Sequence, residues 1–199
     1  MTTTNTYEVI ILFDGYSKET ENATEANCTC TLINGPKKII VDTMTAWDGP
    51  KLTKSLQDRK IDCDDIDYVI CTHGHSDHIG CNYLFPKAIH IVGYCISHEH
   101  VYTNHDFNRE YIIDESVKVI STPGHTLQDV SVIVQTDKGV IAIVGDLFEN
   151  ECDLKDDSIW KKAGSDSEVL QIQNRNKILQ LADWIVPGHG SMFKVNKNV

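Results

Sequence analysis

The most constraining feature of this sequence is a turn crowded with histidine that directly follows an apolar strand. The run Tyr68–Thr72 predicts a buried strand, and the next six positions contain His73, His75, Asp77 and His78. His73 and His75 are two positions apart, so an extended backbone projects both imidazoles to the same side. Imidazole nitrogen and carboxylate oxygen are ligands that suit a borderline cation such as Zn²⁺. The turn therefore predicts a metal site at a strand end, and a solvated surface loop is the alternative.

Three later positions share this context of an apolar strand, a glycine and a side chain able to bind a metal. They are His125 after the predicted strand Val117–Ser121, Asp146 after Val140–Val144 and His189 after Trp184–Val186. Each alone is a common cap or turn residue. Together they indicate that several strand ends meet at one site, because loops at strand ends commonly carry function.

The remaining pattern predicts strands and helices along one domain, residues 1–199. The other predicted strands are Tyr7–Phe13, Cys28–Ile33, Lys38–Asp42, Ala88–Val92 and Val130–Thr136, and the predicted helices run from Asp48, as the cap, to about Lys60 and over Glu168–Leu181. Residues 15–27, 97–116 and 149–167 are predicted to be loops. Strand-rich halves with helices between them favour an α+β fold of two sheets covered by outer helices.

Composition limits where the chain can act and what it can attract. With 18 basic and 29 acidic side chains its formal net charge is −11, so the whole molecule does not attract polyanions and any nucleic-acid binding must be local. No apolar run is long enough to cross a membrane, and the N-terminus has no secretory pattern. Seven cysteines, irregularly spaced, predict free thiols. We therefore expect a cytoplasmic or nuclear protein that is not secreted.

The ordered motifs resemble those of the metallo-β-lactamase superfamily, in its glyoxalase II-like branch. They are THGHSDHIG, LFP, TPGH with QDVSVIV, GDLFE and VPGHG, and the resemblance extends from about Tyr7 to Phe193. It implies a four-layer αββα sandwich, with two mixed sheets packed face to face, helices outside and a dinuclear metal site at one sheet edge. By this resemblance His73, His75 and His125 hold the first metal, Asp77, His78 and His189 hold the second, and Asp146 bridges both.

The resemblance also implies an activity. Two Zn²⁺ ions, or iron or manganese, would hold a bridging hydroxide that attacks the substrate, with Asp77 as a ligand that also orients this water. The implied enzyme is an endoribonuclease that cleaves histone pre-mRNA 3′ ends, and a homodimer is implied as well. The alternatives are hydrolysis of a small acyl substrate, such as a thioester or lactone, and a non-catalytic metal-binding interaction protein.

Other candidate residues are weaker. His98, His100 and His105 form a second histidine-dense stretch, but they lack the strand-end glycine context, so a solvated loop is favoured. Cys28 and Cys30 alternate within a predicted strand, which favours buried thiols over a metal or redox pair.

Overall fold

A computed structural model describes residues 6–197. The first half of the chain supplies strands β1 (Glu8–Phe13), β2 (Tyr16–Glu19), β3 (Thr24–Asn27), β4 (Cys30–Asn34), β5 (Ile39–Val41), β6 (Tyr68–Cys71), β7 (Ile89–Val92), β8 (Cys95–His98) and β9 (Val101–Thr103). The second half supplies β10 (Tyr111–Ile112), β11 (Val117–Ser121), β12 (Val130–Thr136), β13 (Gly139–Gly145), β14 (Trp184–Pro187) and β15 (Phe193–Lys194). The helices are α1 (Gly49–Gln57), α2 (Ser76–Ile79), α3 (Ser158–Ala163) and α4 (Glu168–Leu181), with 3₁₀ turns at Cys63–Asp65, Asn82–Leu84 and Glu151–Leu154.

Two mixed sheets pack face to face. Within residues 6–197, one sheet has the order β1-β4-β5-β6-β7-β8-β9 and the other has the order β10-β11-β12-β13-β14-β15. Parallel pairing occurs where β6 lies between β5 and β7, and where β14 lies beside β13. Polar groups that follow parallel strands are therefore brought to the same sheet edge.

Side-chain alternation along the strands separates the layers. On β12, Val130, Val132 and Val134 face the other sheet and pack in the central core, whereas Ile133 belongs to the core beneath α4. On the first sheet, the residues facing outward pack against Leu52 and Leu56 of α1. Period-two alternation thus gives each sheet two apolar faces, and the result is the αββα sandwich that the motifs imply.

Three predicted loops contain regular structure. Residues 15–27 include the hairpin β2–β3, whose two strands pair with each other outside the two main sheets. Residues 97–116 include the end of β8 and all of β9 and β10. Residues 149–167 contain a 3₁₀ turn and α3. The loop predictions were wrong here because these segments are short and mostly exposed, so they have no apolar face to produce a periodic signal.

The first helix also differs from its prediction. Asp48 occupies the N-cap position, but its side chain makes no capping bond and instead accepts hydrogen bonds from Thr45 and Asn27. The helix ends at Gln57 rather than near Lys60, where the backbone adopts a positive φ of 60°. The predicted α4 has the bounds that were expected.

Candidate metal centre

The first group of candidate ligands is built around His75. Its Nδ1 lies 3.0 Å from His73 Nε2 and 3.1 Å from His125 Nε2. Asp146 Oδ2 completes the group, 3.6 Å from His73 Nε2 and 3.4 Å from His125 Nε2. The four ligand atoms all lie within 4.8 Å of one another. The histidine-dense turn after β6 and the segments after β11 and β13 therefore deliver their side chains to one point.

Bonds on the far side of two rings turn their Nε2 atoms toward this point. His125 Nδ1–H donates to the carbonyl of Gly164 at 2.8 Å. His73 Nδ1 lies 3.1 Å from Thr72 Oγ1. The Thr72 hydroxyl donates its own hydrogen to the Asp42 carboxylate, 3.0 Å away, so it can only accept from the His73 ring, and His73 Nδ1–H is the donor. When Nδ1 carries the proton, Nε2 presents its lone pair, as a metal ligand must.

The second group lies beside the first and contains Asp77, His78 and His189. Asp77 Oδ2 lies 3.8 Å from the Nε2 atoms of both histidines. Asp146 adjoins this group too, because its Oδ1 is 3.2 Å from His78 Nε2 and its Oδ2 is 3.3 Å from His189 Nε2. Asp146 is thus in contact with both groups, as a bridging ligand has to be.

The second pair of histidines is anchored in the same way. His78 Nδ1 is 3.0 Å from Asp42 Oδ2, and His189 Nδ1–H donates to the carbonyl of Asn27 at 3.0 Å. Asp42 is almost fully buried at the end of β5, and its Oδ1 also accepts the Thr72 N–H at 2.8 Å. This carboxylate therefore orients ligands of both groups and fixes the tautomer of His78.

Buried polar atoms without partners test whether these residues fit metal ions. His78 Nε2 and Asp146 Oδ1 are buried and make no hydrogen bond, although they lie close together. Burying such atoms unpaired is unfavourable, and a divalent cation between nitrogen and oxygen donors would satisfy both. Seven convergent nitrogen and oxygen donors fit two cations of the zinc, iron or manganese type.

The directions of the pKa shifts divide the histidines of the site into two pairs. Burial lowers the pKa of His73 and His75, and neighbouring histidines lower both further. Burial also opposes the charged form of His78 and His189, but the Asp146 carboxylate outweighs it, raising the pKa of His78 well above its ordinary value and that of His189 to about 9. Burial would raise the pKa of Asp146, yet His78 and His189 hold it well below its usual range. The buried carboxylate is balanced by protons on these rings, a charge that metal ions would replace.

Close backbone approach explains the glycine beside His189. A side chain at Gly188 would place its Cβ only 1.9 Å from Asp146 Oδ1. Gly145 has a positive φ of 54° and approaches Thr72, so it permits the turn that delivers Asp146. The glycines next to the ligands are therefore needed for space and for backbone conformation.

Helix α4 fixes two of the loops that carry ligands. Its polar side chains donate to backbone carbonyls: Asn174 Nδ2 to Pro123 O at 2.7 Å, Gln171 Nε2 to Asp146 O at 3.1 Å and Arg175 Nη1 to Leu147 O at 2.8 Å. Gln171 and Arg175 are buried, whereas the apolar Val169 and Ile172 are exposed. The helix therefore contacts the site through hydrogen bonds rather than through an apolar stripe.

Sequence reasoning missed three buried residues of the site: Asp42, Arg175 and Glu149. Glu149 lies beside the second group of ligands. Asp42 ends a predicted strand, so the strand-end rule that selected Asp146 could have found it. Arg175 carried no comparable signal, because a helical arginine is usually a solvated residue.

Among the described residues, His98, His100 and His105 belong to no ligand group, and all seven cysteines are free. His105 is not part of a purely solvated loop, since its ring packs against Phe107.

A cavity of about 510 Å³ opens over the two groups. One wall is the inner face of the β2–β3 hairpin, and the opposite wall is formed by α3 and the residues after β13. The lining is mainly polar; besides the ligands its ionisable groups are Glu19, Glu149, Asp156 and Lys162. Among the residues described in the structure, Lys162 is thus the one lysine or arginine that lines this cavity.

An αββα sandwich with a candidate metal-binding cluster at its sheet edges is the architecture of metal-dependent hydrolases of the metallo-β-lactamase type. A family model described as metallo-beta-lactamase superfamily matches residues 23–189. Metallo-beta-lactamase domain-containing protein 1 of Xenopus laevis is 40% identical over 198 residues, which cover 96% of this chain and 83% of that protein. The protein of the same name in Mus musculus is 39% identical over 82% of this chain, but the match spans only 62% of its own length. The chain therefore belongs to the metallo-beta-lactamase superfamily, and the resemblance in its motifs is confirmed.

Solved structures agree on the fold. A metal-dependent hydrolase from Staphylococcus aureus, described as probable, superposes with a TM-score of 0.72 at 13% identity, covering 98% of this chain and 94% of that one. A quorum-quenching N-acyl homoserine lactone lactonase superposes with a TM-score of 0.68 at 19% identity, covering 95% of this chain and 94% of that one. At such identities these structures establish the αββα fold and leave the substrate open.

Proposed function

We propose that this protein is a hydrolase that binds two divalent cations, zinc in the first instance. His73, His75 and His125 would hold one ion, Asp77, His78 and His189 the other, and Asp146 both. The observation that carries the proposal is the convergence of these seven side chains, with buried ligand atoms that lack any partner. When bound, such a pair of ions would activate a water molecule and polarise the oxygen of the bond to be cleaved.

The protein's own groups would prepare this site before substrate arrives. Asp42 and the carbonyls of Asn27 and Gly164 hold ring protons on the outer nitrogens, so the inner nitrogens remain available. Asp77 is partly exposed to the cavity, where we propose that it orients the attacking water. Positioning of this kind removes the need for ligands to rearrange during the reaction.

For the bond cleaved, we propose the phosphodiester of RNA, with histone pre-mRNA 3′ ends as the first substrate to test. The cavity supports a polar substrate, because hydroxyl and amide groups of Ser17, Thr24, Asn150 and Ser158 line it. Lys162 could contact a phosphate, and bound cations would supply further positive charge. The volume of the cavity, about 510 Å³, is within the range of small-ligand sites, so only the nucleotides beside the scissile bond would enter the cavity.

A small acyl substrate, such as a lactone or thioester, is the second candidate. The observation in its favour is the charge of the lining, where the carboxylates of Glu19 and Asp156 face a single lysine. Carboxylates near the entrance repel a polyanion but leave a neutral ester unaffected. The polar walls, in turn, offer little apolar surface to a long acyl chain.

One set of measurements separates these functions. Protein loaded with zinc is assayed for metal content and for turnover of a histone pre-mRNA 3′-end RNA, an unrelated RNA, a lactone and a thioester. We expect about two zinc ions per chain and RNA cleavage that chelation abolishes. Cleavage of the acyl substrates alone would contradict the RNA proposal, and the absence of both metal and turnover would favour a non-catalytic interaction protein.

The assembly and the compartment stay predictions. No helix among residues 6–197 is long and apolar enough to span a bilayer. We propose a homodimer, to be tested by sedimentation equilibrium, and a cytoplasmic or nuclear location, to be tested by imaging the tagged protein. A monomer at micromolar concentration would contradict the first prediction, and a secreted protein the second.

A further inference from the structure

Glu149 is a buried carboxyl group in the cavity wall that the proposed metal site does not use. It follows Asp146 by three residues and is 3% exposed, and it lines the cavity. Its Oε1 is buried and has no hydrogen-bond partner. Burying a strong acceptor without a donor is unfavourable, so a donor on a bound molecule would stabilise the complex.

The backbone holds this carboxyl group in a fixed place. The Glu149 N–H donates to Asp153 Oδ2 at 2.7 Å, and the Glu149 carbonyl accepts the His189 N–H at 2.8 Å. Asp153 is itself fixed by two bonds from the Arg175 guanidinium, at 3.0 and 3.1 Å. Glu149 is therefore tied on one side to a candidate metal ligand and on the other to a buried ion pair, so its side chain starts from a rigid position.

We propose that Glu149 determines specificity for ribonucleotides, by accepting a hydrogen bond from the ribose 2′-hydroxyl beside the scissile phosphate. This inference rests on the proposed RNA substrate. Glu149 is bonded through its main chain to His189, so its side chain starts next to the place where a phosphate on the metals would sit. The 2′-hydroxyl is the ribose donor nearest that phosphate, and it is the group that distinguishes RNA from DNA.

Other polar groups of the same wall complete the subsite. Asn150 and Ser158 line the cavity next to Glu149 on the side of α3, and Lys162 follows one helical turn after Ser158. Lys162 can attract the phosphate while Glu149 accepts from the sugar. An amino group on a base offers the same donor chemistry, but it projects away from the backbone phosphate, so the sugar hydroxyl is the source to which we commit.

The test compares oligonucleotides that differ at the scissile nucleotide alone. Single-turnover cleavage is measured for an RNA, for the same RNA with 2′-deoxy or 2′-fluoro at the scissile nucleotide, and for one with an altered base there. The wild type should cleave the all-ribose substrate about tenfold faster than either 2′-substituted one, as expected for the loss of one hydrogen bond to a buried carboxyl oxygen. Altering the base should have little effect.

Variants assign the discrimination to Glu149. In Glu149→Ala the rate on RNA should fall to that on the deoxy substrate, so the ratio approaches one. Glu149→Gln keeps an acceptor oxygen and should keep part of the ratio. The matched control is Glu151→Ala, because Glu151 is an exposed residue two positions away that does not line the cavity. Zinc content, measured for each variant, should be equal.

Each result supports or overturns the inference. Equal cleavage of ribose and deoxy substrates by the wild type would overturn it while leaving the RNA proposal intact. An unchanged ratio in Glu149→Ala would do the same, and so would a preference that follows the base. No cleavage of any oligonucleotide would remove the RNA proposal itself. If Glu149→Ala fails to fold, Glu149→Gln and the substituted substrates still distinguish these outcomes.

Discussion

Replacing Arg175 with methionine should destabilise the protein strongly, because this residue forms a buried ion pair below the candidate site. Arg175 is 6% exposed and Asp153 is fully buried. The guanidinium makes four hydrogen bonds: to both carboxylate oxygens and the carbonyl of Asp153, and to the carbonyl of Leu147. It also lies 4.1 Å from the centre of the Phe148 ring. Arg175→Met keeps the length of the side chain and removes every one of these bonds.

The expected loss follows from the charge that is left behind. Removing one partner of a buried ion pair costs about 3–5 kcal/mol, since the other charge stays buried and uncompensated. With a urea m value of about 2 kcal/mol/M, a loss of about 4 kcal/mol lowers the midpoint of unfolding by about 2 M. Adding Asp153→Asn to Arg175→Met removes the orphaned charge, so the double variant should recover about 1 kcal/mol or more.

The assay is urea unfolding of protein kept in a chelator, so that bound metal does not add to the free energy of unfolding. Lys54→Met is the matched control, because Lys54 pairs with Asp58 on the surface, where both side chains are mostly exposed. Its loss should change the free energy of unfolding by less than about 0.5 kcal/mol. The reasoning is refuted if Arg175→Met lies within about 1 kcal/mol of the wild type, or if the double variant is no more stable than the single one.

Three further predictions concern the site and the core. His75→Ala should lose metal from the first group and abolish hydrolysis, which zinc analysis and an activity assay check. Because His75 is exposed, the free energy of unfolding of the metal-free protein should change by less than about 0.5 kcal/mol, as measured by urea unfolding. Zinc should dissociate as the pH falls from 7 to about 5, since the histidine ligands must be neutral to bind, and unchanged metal content after dialysis at pH 5 would contradict this. Burial and the neighbouring Asp114 carboxylate raise the pKa of the Tyr7 phenol. Above pH ~10 the folded protein therefore keeps a proton that the unfolded chain loses. The free energy of unfolding should consequently fall as the pH rises through this range. Tyr7→Phe should lack this fall and cost about 1 kcal/mol at pH 7, where the hydrogen bond to Asp114 is lost; parallel alkaline profiles for both proteins would show that Tyr7 is not responsible.

The predicted part of the site is the part that the chain encodes locally. Asp146, for example, stands directly after an apolar strand and a glycine, so one short motif contains both the strand and the group at its end. The contacts between motifs had no such local signal. His125 is oriented by the carbonyl of Gly164, 39 residues away along the chain, and His189 by the carbonyl of Asn27. A backbone carbonyl belongs to every residue type, so only the tertiary fold reveals which one is used.

The hairpin β2–β3 was missed for a related reason. All four residues of β2 are exposed, and of β3 only Asn27 is buried. With one face directed at a polar cavity and the other at solvent, the hairpin has no need of alternating apolar residues, which are the signal that predicts strands. Its function as a cavity wall therefore removes the pattern by which a strand is usually recognised.

Helix α4 also lacks the apolar pattern by which its type of element is usually recognised, and the cause is again its place next to the candidate site. A surface helix normally buries an apolar stripe, but the buried positions of α4 include Gln171 and Arg175. Their partners are carbonyls in loops that turn sharply to deliver ligands, so these carbonyls point away from any strand partner. An apolar helix face would leave each carbonyl unpaired, at about 1–3 kcal/mol each. Polar residues on the inner face of α4 are therefore required by the ligand loops that it covers, and the weak apolar periodicity of this helix is a physical consequence of the site.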